Sequence, residues 1–248
     1  MEILEFGNKE NKKIILIHGF QLIWQYWEKH IEYFKKDYHV IVPIITGHNQ
    51  NQKETFISFK ETAKEIEDYC INNFGYDIHA VFGMSMGGVV AANLLQNKRL
   101  KIKKVICDGS PLVSSNKIIG NIQTNFYLDV THKTQARDKK TIENAKKIGL
   151  VPDGKMEQFL KLMDNLSDQT IINCINEISR YKLPNNINLD NTELYYYHGT
   201  KIDETLAKST AKYIKKWYPK AKVKCFKGAG HCQVFTTNIK MLEEIIKE

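Results

Sequence analysis

The chain has few of the residues that would mark a disulfide-stapled or metal-bound protein. Its five cysteines, Cys70, Cys107, Cys174, Cys225 and Cys232, are odd in number, and no two form a CxxC pair. A disulfide framework and a metal site are both disfavoured, and the thiols read as buried and free. Long apolar runs are missing too. Ile14 to Ile17 is the longest near the N-terminus, far short of the ~20 residues that cross a bilayer. No basic-then-apolar leader with a small-residue cleavage site opens the chain, so a cytoplasmic protein with no membrane partner is expected. Arginine is scarce: Arg99, Arg137 and Arg180 are the only three among 36 basic residues. The net charge of +8 therefore comes from lysines spread along the chain, without a Gly/Arg tract or aromatic–basic interleaving. Such lysines read as a solvated surface, and no nucleic-acid partner is expected.

What is present is an alternation of two periods. The 248 residues, 42% hydrophobic and 26% charged, suit one large α/β domain or a core with an insertion. Ile14–Ile17, Tyr38–Val42, Ile78–Phe82 and Lys104–Cys107 are short apolar runs of the kind buried on both faces of a sheet. Helical spacing separates them: Trp24, Trp27, Ile31 and Phe34; then Ala63, Ile66, Cys70 and Phe74 behind a Ser58/Glu61 capping pattern; then Gly87 to Gln96. This order implies a mostly parallel central sheet flanked by helices. The alternation stops between Leu112 and Asp190. Only helical faces follow there: Ile118, Ile122 and Phe126; Ile142, Ala145 and Ile148; Met156, Phe159, Leu160 and Met163; Ile171, Ile172, Ile175 and Ile178. Strands resume at Glu193–Tyr197 and Lys222–Phe226. The expected division is a core of residues 1–111 and 191–248 with an all-helical insertion over 112–190.

Three segments carry chemistry. Gly83-Met84-Ser85-Met86-Gly87-Gly88 directly follows a buried strand and directly opens a helix. A G-x-S-x-G turn in that setting lifts a serine hydroxyl above the sheet at the positive end of a helix. Ser85 is the expected nucleophile, and the Met86 N–H faces the place where an oxyanion would form. His18-Gly19-Phe20 ends the first long strand, and the Phe20 N–H is the natural second oxyanion donor, with His18 a hydrogen-bonding core residue. Gly228-Ala229-Gly230-His231 follows the last strand, at the sheet end where open α/β folds keep their sites, and makes His231 the expected general base. The acid should follow Tyr197-His198-Gly199. Asp203 fits best, with Glu204 and Asp108 as the alternatives. Met156, Phe159 and Met163 share one helical face and are candidates for a substrate pocket.

Together these segments resemble the α/β-hydrolase superfamily, in particular small capped hydrolases of the esterase, lipase and peptidase kind. The resemblance covers about residues 12 to 110 and 192 to 246, and it implies that the insertion is a cap over the active site. Two stretches depart from the family pattern: Pro43-Ile44 stands where Pro-Asp is common, and Gly47-His48-Asn49 where Gly-His-Gly is common. The family acid often follows its strand glycine by three residues; here that position is Ile202. The resemblance implies hydrolysis of a carboxylic ester of a small or medium apolar acyl group through a Ser-His-Asp triad, with a small-molecule substrate and no metal or organic cofactor. A carbon–carbon hydrolase or lyase, a peptidase, a thioesterase, or a non-catalytic ligand-binding protein could be built on the same frame.

Overall fold

The computed structural model describes all 248 residues. Seven strands form one sheet: β1 (Glu2–Phe6), β2 (Lys12–Ile17), β3 (Tyr38–Ile44), β4 (Asp77–Met84), β5 (Lys101–Asp108), β6 (Glu193–Gly199) and β7 (Lys222–Phe226). Their spatial order is β1-β3-β2-β4-β5-β6-β7. Only β1 runs antiparallel to its neighbour. Every expected strand is present, with ends that differ by up to three residues. The strand expected to stop before Pro43 runs through it. Its ladder to β2 has already ended at Ile41, so the missing N–H costs no bond on that side.

Alternation along β2 shows how the core divides. Ile15 and Ile17 face one side of the sheet and Ile14 and Leu16 the other, all four fully buried. Against the first side pack α2 (Phe59–Phe74), α3 (Met86–Asn97) and α8 (Thr205–Trp217) through Ala63, Ile66, Val90, Ala211 and Ile214. Against the second pack α1 (Glu28–Phe34), α9 (Gln233–Thr237) and α10 (Ile239–Lys247) through Ile31, Phe34, Phe235, Leu242 and Ile246. The Ser58 cap is real: its hydroxyl accepts the Glu61 N–H at 3.1 Å.

Four helices and no strand fill the chain between β5 and β6: α4 (Lys117–Gln135), α5 (Lys139–Lys147), α6 (Met156–Asn165) and α7 (Asp168–Arg180). They carry their own core of Ala145, Phe159, Met163, Leu166, Ile171 and Ile175. The two connections to the sheet are stitched together, since the Leu183 N–H donates to the Leu112 carbonyl at 3.0 Å. One expectation fails here. The α4 face of Ile118, Ile122 and Phe126 is not buried but 59–67% exposed. The helix turns inward a different stripe, Gly120, Tyr127, Thr131 and Thr134, whose spacing of seven, four and three also fits a helix. Small and hydroxyl side chains allow that close approach: a Cβ on Gly120 would stand 3.1 Å from Ser179. No helix of the protein is long and apolar enough to cross a membrane.

Candidate active site

The sheet places the site before any side chain is considered. After β2 the chain leaves toward β3 on one side, and after β4 toward β5 on the other, although β2 and β4 are neighbours. Loops therefore diverge between their carboxyl ends and leave a crevice. The Phe20 loop rises from β2 and Ser85 from β4, on the two sides of that crevice.

Ser85 sits at φ 52° and ψ −116°, a left-handed conformation that a residue with a side chain rarely takes. The glycines around it make the turn possible. A Cβ on Gly83 would lie 2.3 Å from the Gly87 carbonyl oxygen, and one on Gly87 2.3 Å from that of Ile17. The Ser85 N–H is tied to the Asp108 carbonyl at 2.8 Å. Met86 begins α3, so its N–H is one of the end groups without an acceptor inside the helix. The Phe20 N–H has no acceptor within the protein.

His231 stands above Ser85, with Nε2 2.9 Å from the serine Oγ. Its other nitrogen, Nδ1, is 2.5 Å from Glu204 Oε1. Glu204 is fully buried, and its second oxygen accepts the Gly199 N–H at 2.7 Å. The carboxylate thus has one oxygen for the backbone and one for the imidazole. This bonding puts the His231 proton on Nδ1 and leaves a lone pair on Nε2 facing the serine. Burial opposes charging of His231, but the Glu204 carboxylate, with Asp108 and Asp203 nearby, outweighs it and raises its pKa above the usual imidazole value.

Asp203, expected as the acid, is not bonded to the imidazole. It is exposed, and its Oδ2 accepts the His231 backbone N–H at 3.1 Å. The reason is the tight 3₁₀ turn over Ile202–Glu204 that joins β6 to α8. At three residues per turn successive side chains point about 120° apart: Ile202 points to solvent at 91% exposure, Asp203 borders the His231 loop, and Glu204 turns inward. Nothing in the sequence marks the turn as 3₁₀, so the one-residue offset was not readable. Asp108, the other alternative, also makes no bond to His231. Its carboxyl is buried with Oδ2 unpartnered, and burial, then the charge of Glu204, push its pKa up to about 7.

His18 is, as expected, structural. Its Nε2 accepts the Ile45 N–H at 3.1 Å and its Nδ1 lies 2.8 Å from the Gly19 carbonyl. Burial holds its pKa down at about 4, so it stays neutral. The roof of the site comes from α4. Tyr127 meets the Phe20 ring edge-on at 5.0 Å, and Gln21 Nε2 donates to Thr131 Oγ1 at 2.9 Å. Met156, Phe159 and Met163, expected to line a pocket, sit in or against the insertion's own core. Phe159 and Met163 are each 1% exposed inside the insertion's own core, with Met156 packed at its edge. Their helical stripe is real but serves packing, whereas Phe20, Tyr127 and Leu150 border the same cluster only partly buried.

The comparisons with known proteins bear on the family and the fold. The α/β-hydrolase fold family matches residues 12–237, and the chain belongs to that family. Over 103 residues it is 27% identical to the (E)-2-((N-methylformamido)methylene)succinate hydrolase of Acinetobacter baylyi, a stretch that spans 40% of this chain and 38% of that one. Among solved structures, it is similar to an α/β-hydrolase family protein from Desulfitobacterium hafniense, with TM-score 0.78, 18% identity and coverage of 99% and 98% of the two chains. An esterase from Exiguobacterium antarcticum gives TM-score 0.73 at 16% identity, over 99% and 95%.

Proposed function

We propose that the protein is a serine hydrolase acting on carboxylic esters with small or medium apolar acyl groups. The observation that carries the reading is the unbroken chain from Ser85 Oγ to His231 Nε2 at 2.9 Å and from His231 Nδ1 to Glu204 at 2.5 Å. Membership of the α/β-hydrolase family supports it. In this reading His231 takes the Ser85 proton as Oγ attacks the ester carbonyl. The N–H groups of Phe20 and Met86 hold the oxyanion. His231 then protonates the departing alcohol, and the same nitrogen later removes a proton from the water that releases the acyl group. Glu204 holds the imidazole in its tautomer and balances the charge it carries in between. The helices over 112–190 act as a cap, with Tyr127 of α4 packed on Phe20 of the β2 loop.

A fluorophosphonate probe should label Ser85 alone, and Ser85→Ala should lose labelling and at least about a thousandfold in kcat on p-nitrophenyl esters. Across a series of such esters kcat/KM should rise from acetate, pass a maximum and fall. Labelling at another serine, or full activity in the variant, would refute the reading.

A further inference from the structure

The exposed face of α4 has no role in the chemistry above. Ile118, Ile119, Ile122 and Phe126 are 67%, 49%, 63% and 59% exposed, on two and a half turns of one helix. The segment from Lys117 to Leu128 contains no acidic residue. Between Lys117 and Ile148 seven basic residues face three acids. Lys117, Lys139, Lys140, Lys146 and Lys147 are exposed and in no ion pair, whereas Lys133 and Arg137 are paired to Asp129 and Asp164.

We infer that this face of the cap docks on an anionic lipid surface. The four side chains would enter the acyl boundary, and the unpaired lysines would meet the headgroup charge. An apolar helix stripe with unpaired lysines on its own first turn and on the next helix can lie in the plane of such an interface and needs no spanning segment. A second copy of the chain fits worse. The stripe is four side chains of one helix, whereas a stable interface takes about 20–30 residues a side. A two-fold contact would also set the unpaired lysines against themselves. The stripe adjoins the site, because Phe126 packs on Tyr127 and Tyr127 on Phe20.

The test is sedimentation of the full-length Ser85→Ala protein with lipid vesicles, so the result does not depend on the proposed hydrolysis. Partition onto phosphatidylcholine vesicles containing about one quarter phosphatidylglycerol should exceed that onto pure phosphatidylcholine by at least about tenfold, and should fall with salt. Ile122→Asp with Phe126→Asp should remove at least about tenfold of it with Tm unchanged. Ile57→Asp, at a residue 69% exposed elsewhere on the surface, should leave it intact. Equal binding to both vesicles, no binding, or an equal loss with Ile57→Asp would overturn the inference. So would concentration-dependent dimerisation abolished by the double substitution, which would make the face a self-association surface.

Discussion

Glu204→Gln isolates the charge and tautomer control of the site from its shape. The amide is nearly isosteric with the carboxylate, and its oxygen can still accept the Gly199 N–H that Glu204 Oε2 now takes at 2.7 Å. What faces His231 Nδ1 is then an NH₂ group. Nδ1 must become the acceptor, so the proton moves to Nε2 and points at Ser85 Oγ, which then cannot hand over its own. A wrong tautomer in an otherwise intact triad costs about ten-thousandfold in kcat, or about 5.5 kcal/mol of transition-state stabilisation. KM should barely move, since Glu204 is buried behind the histidine. Residual activity carries a second signature. The Glu204 charge is what outweighs burial in raising the His231 pKa, so the acid limb of the rate profile, above the usual imidazole range in the wild type, should shift to lower pH. Asp203→Asn, which touches only a backbone N–H, should stay within about tenfold of wild type. Hydrolysis of p-nitrophenyl butyrate over pH 5 to 9 reads all of this, and the rate of fluorophosphonate labelling reads it without a substrate. Near-normal turnover in Glu204→Gln beside a dead Asp203→Asn would refute the assignment.

The remaining expectations concern the frame. In Gly87→Ala the new methyl would stand 2.3 Å from the Ile17 carbonyl oxygen at the end of β2 and 2.7 Å from that of His18 just after it, both backbone atoms, so a loss of about 3 kcal/mol or more is expected. For a chain of this size that is a fall of about 6–12 °C in Tm by calorimetry, and an unchanged Tm would show that the elbow relaxes. Asp108 keeps its proton in the folded protein up to pH about 7, whereas in the unfolded chain it ionises near pH 4. Its contribution therefore lowers stability as pH rises through that window. Asp108→Asn should gain on the order of 3 kcal/mol over wild type in urea unfolding at pH 8 and little at pH 4, with activity kept within about tenfold; a gain independent of pH would count against the buried proton. Of the five thiols only Cys225 is exposed, so iodoacetamide should modify one cysteine in the native protein and five in urea, as intact mass would show.

Much of this architecture was legible because sheet burial writes itself as short apolar runs. The mostly parallel sheet follows from the alternation, and the two turns that bring Ser85 and His231 within 2.9 Å of each other were readable because glycines mark them. Two features were not. Which carboxylate meets His231 depends on whether the chain after Gly199 turns as 3₁₀ or α, and the pair Asp203-Glu204 offers one to either. The packing of the insertion depends on the rotation of each helix about its own axis. On α4 two stripes compete, and the apolar one of Ile118, Ile122 and Phe126 loses to the smaller one of Gly120, Thr131 and Thr134. Hydrophobicity alone favours the wrong face; close approach to Ser179 and the buried hydrogen bond to Gln21 decide for the other.

The same contrast separates what holds the catalytic groups from what shapes their roof. Each loop of the site is pinned to the next by backbone bonds. The Ser85 N–H donates to the Asp108 carbonyl at 2.8 Å, the Gly109 N–H to that of Tyr197 at 2.9 Å, and the Thr200 N–H to that of Ala229 at 3.0 Å. These bonds run across the carboxyl ends of β4, β5, β6 and β7 in order, so the relative positions of Ser85, Glu204 and His231 are set by sheet register rather than by particular side chains. Beneath the base, a Cβ on Gly199 would stand 2.2 Å from the Ala229 carbonyl oxygen, so the acid and histidine loops close on each other only because that position has none. The roof is held differently, through the Gln21–Thr131 hydrogen bond and the Phe20–Tyr127 ring contact. Side-chain contacts of that kind can be exchanged without disturbing the ladder below. In the proposed reading, selection among esters should therefore respond to substitutions at Tyr127 and Thr131, while the rate of the chemical step should respond to the glycines and to Glu204.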